Sequence, residues 1–114
     1  MVKVAMIGSR GYSSLSNIDV IFLKLAPNKD SVRIITGGAK GVDKYVEDYC
    51  IKNDWRYAVI RPLNPKNKLD YLFRNVEIIT LADMIYAFWD GESRGTKFVI
   101  DYAKARGKII EVIR

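Results

Sequence analysis

An unbroken alternation of two hydrophobic periods constrains this chain more than any other feature of its sequence. Five runs of strand length, VKVAMI (2–7), VRIIT (32–36), YAVIR (57–61), MIYAFW (84–89) and IIEVI (109–113), are apolar and rich in β-branched residues. Between them, apolar residues recur at helical spacing: Ile18, Ile21, Phe22 and Leu25; Val42, Tyr45, Val46, Tyr49 and Cys50; Leu69, Leu72, Phe73, Val76 and Ile79; Val99, Tyr102, Ala103 and Arg106. Continuous apolar strands need cover on both faces, and a strict strand–helix alternation supplies it through crossover helices. The pattern predicts a small doubly wound α/β fold with a parallel five-stranded sheet in the order 3-2-1-4-5 and helices on both sides.

The 114 residues fit one domain, 1–114, and no repeat or linker divides them. No apolar run is long enough to span a membrane, and the N-terminal segment reaches a glycine turn too early for a signal peptide, so a cytoplasmic protein is expected. With no histidine and a single cysteine, the chain can assemble neither a zinc site nor a histidine-based catalytic triad, and no cofactor is implied. The net charge of +6 suits an anionic partner, but the basic residues are scattered, and solubility alone accounts for them equally well.

In a doubly wound sheet, ligands bind beyond the carboxyl ends of the strands, where strand order reverses. Seven of the eight glycines lie in three turns at that end: GSRGY after the first strand, TGGAKGVD after the second and DGESRGT after the fourth. Glycine tolerates positive φ in such turns, but it also lets backbone N–H groups approach an anion at a helix N-terminus. The turns match neither the dinucleotide fingerprint, since G-x-G-x-x-G spacing and the acid after the second strand are missing, nor the P-loop, since G-K-[ST] is missing.

Taken in order, IGSRGY, TGGAKGVD, YLFRNVEII and AFWDGESRGTKFVIDYAKARGK resemble the SLOG superfamily of Rossmann-like nucleotide-binding domains over almost the whole chain. The likeness is to small YspA-type members, with Smf/DprA and the LOG phosphoribohydrolases more distant. It implies a pocket for a nucleoside monophosphate or ADP-ribose-like ligand, held as a sensor or carrier, in a protein that forms a homo-oligomer. The LOG motif P-G-G-x-G-T-x-x-E is broken here: the stretch reads G-E-S-R-G-T-K-F-V, with Val99 in place of the glutamate. Hydrolysis of a nucleotide's N-glycosidic bond is therefore an alternative, with Asp90 or Glu92 as candidate acid or base and Asp43 as another substitute. Single-stranded nucleic acid is a second alternative, suggested by charge and aromatics.

The residues divide the pocket into walls. Gly8, Ser9 and Arg10 follow the first strand, where the guanidinium can take phosphate oxygens or lie on a base. Gly37, Gly38 and Gly41 open the second helix. Asp43, in its first turn, suits the helix dipole but repels an adjacent phosphate, so it either caps the turn or accepts from a sugar hydroxyl. Ser93, Arg94, Gly95 and Thr96, where hydroxyl, guanidinium and backbone donors converge, form the favoured phosphate seat. Trp89 can stack on a base while Asp90 accepts from a sugar hydroxyl or ring N–H. Arg74 and Asn75 match the family's arginine-containing segment facing the pocket. Each has an ordinary alternative: surface positions for Arg10 and Arg74, an N-cap for Ser93 and Thr96, a core position for Trp89.

Overall fold

A computed structural model describes residues 1–114. Strands β1 (Val2–Gly8), β2 (Val32–Thr36), β3 (Tyr57–Val59), β4 (Met84–Phe88) and β5 (Ile109–Ile113) alternate with helices α1 (Ser16–Leu25), α2 (Val42–Asn53), α3 (Lys68–Leu81) and α4 (Arg94–Ala105). All pairings are parallel and the order is β3-β2-β1-β4-β5. The doubly wound α/β fold expected from the hydrophobic periods is present. Its reversal point falls between β1, whose Gly8 pairs with Phe88, and β4.

Side chains alternate across the sheet, and the two faces differ in size. Val4, Met6, Tyr86 and Phe88 face α1 and α2, where Phe22 stacks on Tyr49 with ring centroids 4.0 Å apart. Ala5, Ile7, Ile85 and Ala87 face α3 and α4, which pack closely through Ile78, Ile79, Ile100 and Ala103. Each fully buried large side chain contributes about 1.5–3 kcal/mol, so both faces hold the sheet, the aromatic one through the larger cluster.

Three local expectations are corrected. The third strand stops at Val59 rather than Arg61, and Arg61 pairs with Glu47 at 3.2 Å instead. The edge strands are not buried on both faces, since Tyr57 and Ile109 are exposed where the sheet has no further neighbour. In α3 the apolar residues of the first turns, Leu69, Leu72 and Phe73, point to solvent, and Arg74, Ile78 and Ile79 form the buried face. A short 3-10 segment, Ala26–Ser31, follows α1 with Pro27 at its start, where the missing N–H costs nothing. No helix is long and apolar enough to cross a membrane.

Candidate functional site

A pocket of about 390 Å³ opens at the carboxyl end of the sheet beside the reversal point. Gly8 and Arg10 reach it from the β1 turn, Asp43 from α2, Arg74 and Asn75 from α3, and Asp90, Ser93, Gly95 and Thr96 from the β4 turn and α4. Four elements thus converge on one cavity. Tyr71, Ala39, Gly11, Ile7 and Val99 complete its lining. The sequence held a signal for Tyr71, which lies one helical turn before Arg74 and therefore on the same face; the Arg74 guanidinium lies 5.3 Å from its ring centroid.

Arg74 is buried, an unusual place for a guanidinium. It is held by donating through Nε to Asn75 Oδ1 at 2.8 Å and through a terminal nitrogen to the Gly37 carbonyl. Burial lowers its pKa, with Asp43 acting in the opposite direction. The absence of a side chain at Gly37 makes this packing feasible, because a Cβ there would stand 2.7 Å from the guanidinium and 2.8 Å from the Asp43 carboxylate.

Asp43 is 4% exposed. Burial pushes its carboxyl up to about 6, against weaker lowering by the Ala39 N–H, Arg74, the Gly8 N–H and, least, the Thr36 hydroxyl. Oδ2 accepts from the Ala39 N–H at 3.2 Å. Oδ1 and the Thr36 hydroxyl are both closed off from solvent and complete no hydrogen bond of ordinary geometry, although the Thr36 hydroxyl and the Gly8 N–H stand close enough to the carboxyl to act on it. No direct ion pair joins Asp43 to Arg74.

The turn after β4 is arranged differently. Asp90 accepts from the N–H groups of Glu92 at 2.9 Å and Ser93 at 2.8 Å, and these bonds hold its carboxyl below the ordinary range. Ser93 Oγ accepts from the Thr96 N–H at 3.3 Å, so Ser93 caps α4. Ser9 is buried rather than presented to the cavity: its hydroxyl accepts from the Asp90 N–H and meets the Thr96 hydroxyl, each at 3.2 Å.

Other expected site residues stand apart from the main cavity. Arg94, at the first position of α4, and Glu92 are exposed and do not line it. Trp89 donates its indole N–H to the Ser93 carbonyl at 3.1 Å and packs under Arg114, whose guanidinium lies 5.2 Å from the ring. It faces a separate cavity of about 240 Å³. Gly37 and Gly38 line a neighbouring cavity of about 330 Å³ with Arg61. Gly41 shapes the pocket indirectly: at φ 82° it starts α2, and a Cβ would come within 2.6 Å of the Arg10 carbonyl oxygen.

No model of a known protein family matches the chain, and no curated protein matches it. Solved structures do. TM1055, a structural-genomics target, aligns with a TM-score of 0.72 and 26% identity over 96% of this chain and 72% of its own. DNA processing protein A (DprA) from Streptococcus pneumoniae aligns with a TM-score of 0.81 and 19% identity over 100% of this chain. DprA from Helicobacter pylori, described for its single-stranded DNA binding mode, aligns with a TM-score of 0.77 and 24% identity over 97%. The chain spans only 50% and 64% of the two DprA proteins. In fold, the chain is a Rossmann-like α/β domain like those in TM1055 and the two DprA proteins.

Proposed function

We propose that the chain binds a nucleotide-derived ligand, a nucleoside monophosphate or ADP-ribose-like molecule, as a sensor or carrier. The observation that carries this reading is the convergence of Arg10 and the buried Arg74 on one cavity at the sheet's reversal point, beside the first turn of α4. Its volume of about 390 Å³ falls within the range of small-molecule sites. Charge-assisted bonds from two arginines contribute about 1.5–3 kcal/mol each, and a helix N-terminus adds about 0.3–2 kcal/mol. Only at the top of these ranges do the three reach the roughly 8 kcal/mol of a micromolar site, so base stacking, at about 1–3 kcal/mol, is needed as well. In isothermal calorimetry with nucleoside monophosphates, Arg10→Ala is expected to weaken binding about tenfold with unchanged thermal unfolding. Equal affinities for both proteins would sink the assignment.

A hydrolase reading finds little support in the surroundings of Asp90 and Glu92. Asp90 already accepts two backbone N–H groups and is a weak base, while Glu92 lies outside the cavity. Val99, which takes the place of the LOG glutamate, lines the cavity with a methyl surface. The second reading, single-stranded nucleic acid, is favoured by the fold shared with a DprA described for that binding and by the +6 charge. Oligonucleotide titrations at low salt test it, because phosphate-driven binding is strongest there and falls steeply as salt rises.

A further inference from the structure

The outer side of α3 carries apolar surface that nothing in the chain covers. Twelve large apolar side chains are exposed on the molecule, and four of them, Leu63, Leu69, Leu72 and Phe73, fall within residues 63–73. Leu69, Leu72, Phe73 and the half-buried Val76 stand at i, i+3, i+4 and i+7, so they form one stripe along two turns of the helix. Leu63, 97% exposed, lies in the loop that the Asn64 N–H ties to Asp70 at 3.0 Å, beside the first turn. Tyr71, Arg74 and Asn75 reach the pocket from the opposite side of α3, so the stripe belongs neither to the core nor to the ligand site. Contiguous apolar surface rimmed by polar residues marks an interface.

The charges flanking the stripe select its occupant. Lys68 precedes Leu69 and lies on one flank, while Asp70 follows it and lies on the other, joined two turns later by Glu77. When two copies of α3 meet face to face in parallel, opposite flanks come together, and Lys68 of each copy meets Asp70 of the other. In an antiparallel pair like flanks meet, which sets the acids of both copies on one side and opposes association. We propose that the chain forms a two-fold dimer in which the α3 stripes pair in parallel, with Leu69, Phe73 and Val76 layered against their counterparts and Lys68 set opposite Asp70. Two turns of one helix make a small interface, and small interfaces are weak, so a dissociation constant of about 10 μM is expected. This association stands whatever fills the pocket.

Sedimentation velocity of the full chain from about 1 μM to about 0.1 mM brackets that constant and should show monomer giving way to dimer. Phe73→Ser, a change at an exposed site, should raise the constant at least about tenfold, with thermal unfolding at low concentration unchanged. Lys68→Glu and Asp70→Lys each set like charges across the pair and should each weaken self-association about threefold or more. Asp70→Lys also releases the Asn64 N–H, so the decisive sample is an equimolar mixture of these two variants. Opposite charges then face each other at both contacts, and the mixture should associate more tightly than either variant alone. A chain that stays monomeric throughout, or a dimer indifferent to Phe73→Ser, would overturn this face as the interface and leave the stripe to a different partner. Tighter self-association of Asp70→Lys alone, or no gain in the mixture, would overturn the parallel pairing.

Discussion

The turns that open α2 and α4 are both glycine-rich, both follow a strand of the central sheet and both carry an acid, yet their polar groups are satisfied in opposite ways. In the α4 turn the chain answers its own needs. Asp90 and Ser93 accept from the free N–H groups of Glu92, Ser93 and Thr96, and Ser9 closes the network from β1. In the α2 turn no side chain caps the helix, and the acid is buried with one oxygen unpaired. The first turn is a finished piece of structure that presents a few remaining donors. The second carries a standing cost, that of a carboxylate buried without a full set of donors.

Breaking this contrast gives a graded series. The largest effect is expected at Asp43. Its folded-state carboxyl titrates near 6, against an ordinary value of 3.8. The folded chain therefore holds this proton more tightly than the unfolded chain, and burial of the ionised form opposes folding as pH rises through this window. The penalty is absent below about pH 4, fully present above about pH 7 and worth about 3 kcal/mol. Asp43→Asn should remove it: urea unfolding at pH 8 should show the variant more stable by about that amount, with the two proteins converging near pH 4.

Arg74→Ala should act in the other direction. It removes the nearest cation from Asp43 and leaves the Gly37 carbonyl without its donor, at a cost of about 2 kcal/mol, less than for a directly paired buried charge. Urea midpoints at pH 7 measure it, and calorimetry with a nucleoside monophosphate should show weaker binding at the proposed site as well. In the α4 turn, Ser93→Ala should cost about 1 kcal/mol through the lost cap, read as a lower midpoint of thermal unfolding.

The smallest effect is expected at Arg94. Because the side chain is exposed and makes no ion pair or hydrogen bond, Arg94→Ala should shift stability by less than about 0.5 kcal/mol and monophosphate affinity by less than about threefold. A large loss of affinity in Arg94→Ala would show instead that this arginine closes over the ligand.

The fold was legible because two periods, alternation of strands and helices and glycine at one end of the sheet, are properties of local sequence. Which face a helix buries is not. In α3 the apolar residues Leu69, Leu72 and Phe73 argue for one stripe, yet all three are exposed and the helix buries Arg74 with Ile78 and Ile79 instead. That guanidinium is tolerated because Gly37 and Asn75 supply acceptors from 37 residues and one residue away, a tertiary arrangement invisible to periodicity. The same limit reversed the emphasis between the two arginines: SRGT reads as an anion seat, but Arg94 leaves from the outer side of α4 while Arg74 enters the pocket. Asp43 was legible as an awkward acid beside an expected phosphate. Its depth of burial and missing partner needed coordinates.

The contact between Gly41 and the Arg10 backbone has a practical meaning for anyone wishing to retune this protein. The two loops behave as interlocking teeth: any side chain placed on the α2 tooth displaces the β1 tooth and carries the Arg10 guanidinium with it. Loop grafts and randomised libraries should therefore exchange GSRGY and TGGAKGVD as a matched pair, because either segment transplanted alone would arrive without the shape that gives it an address.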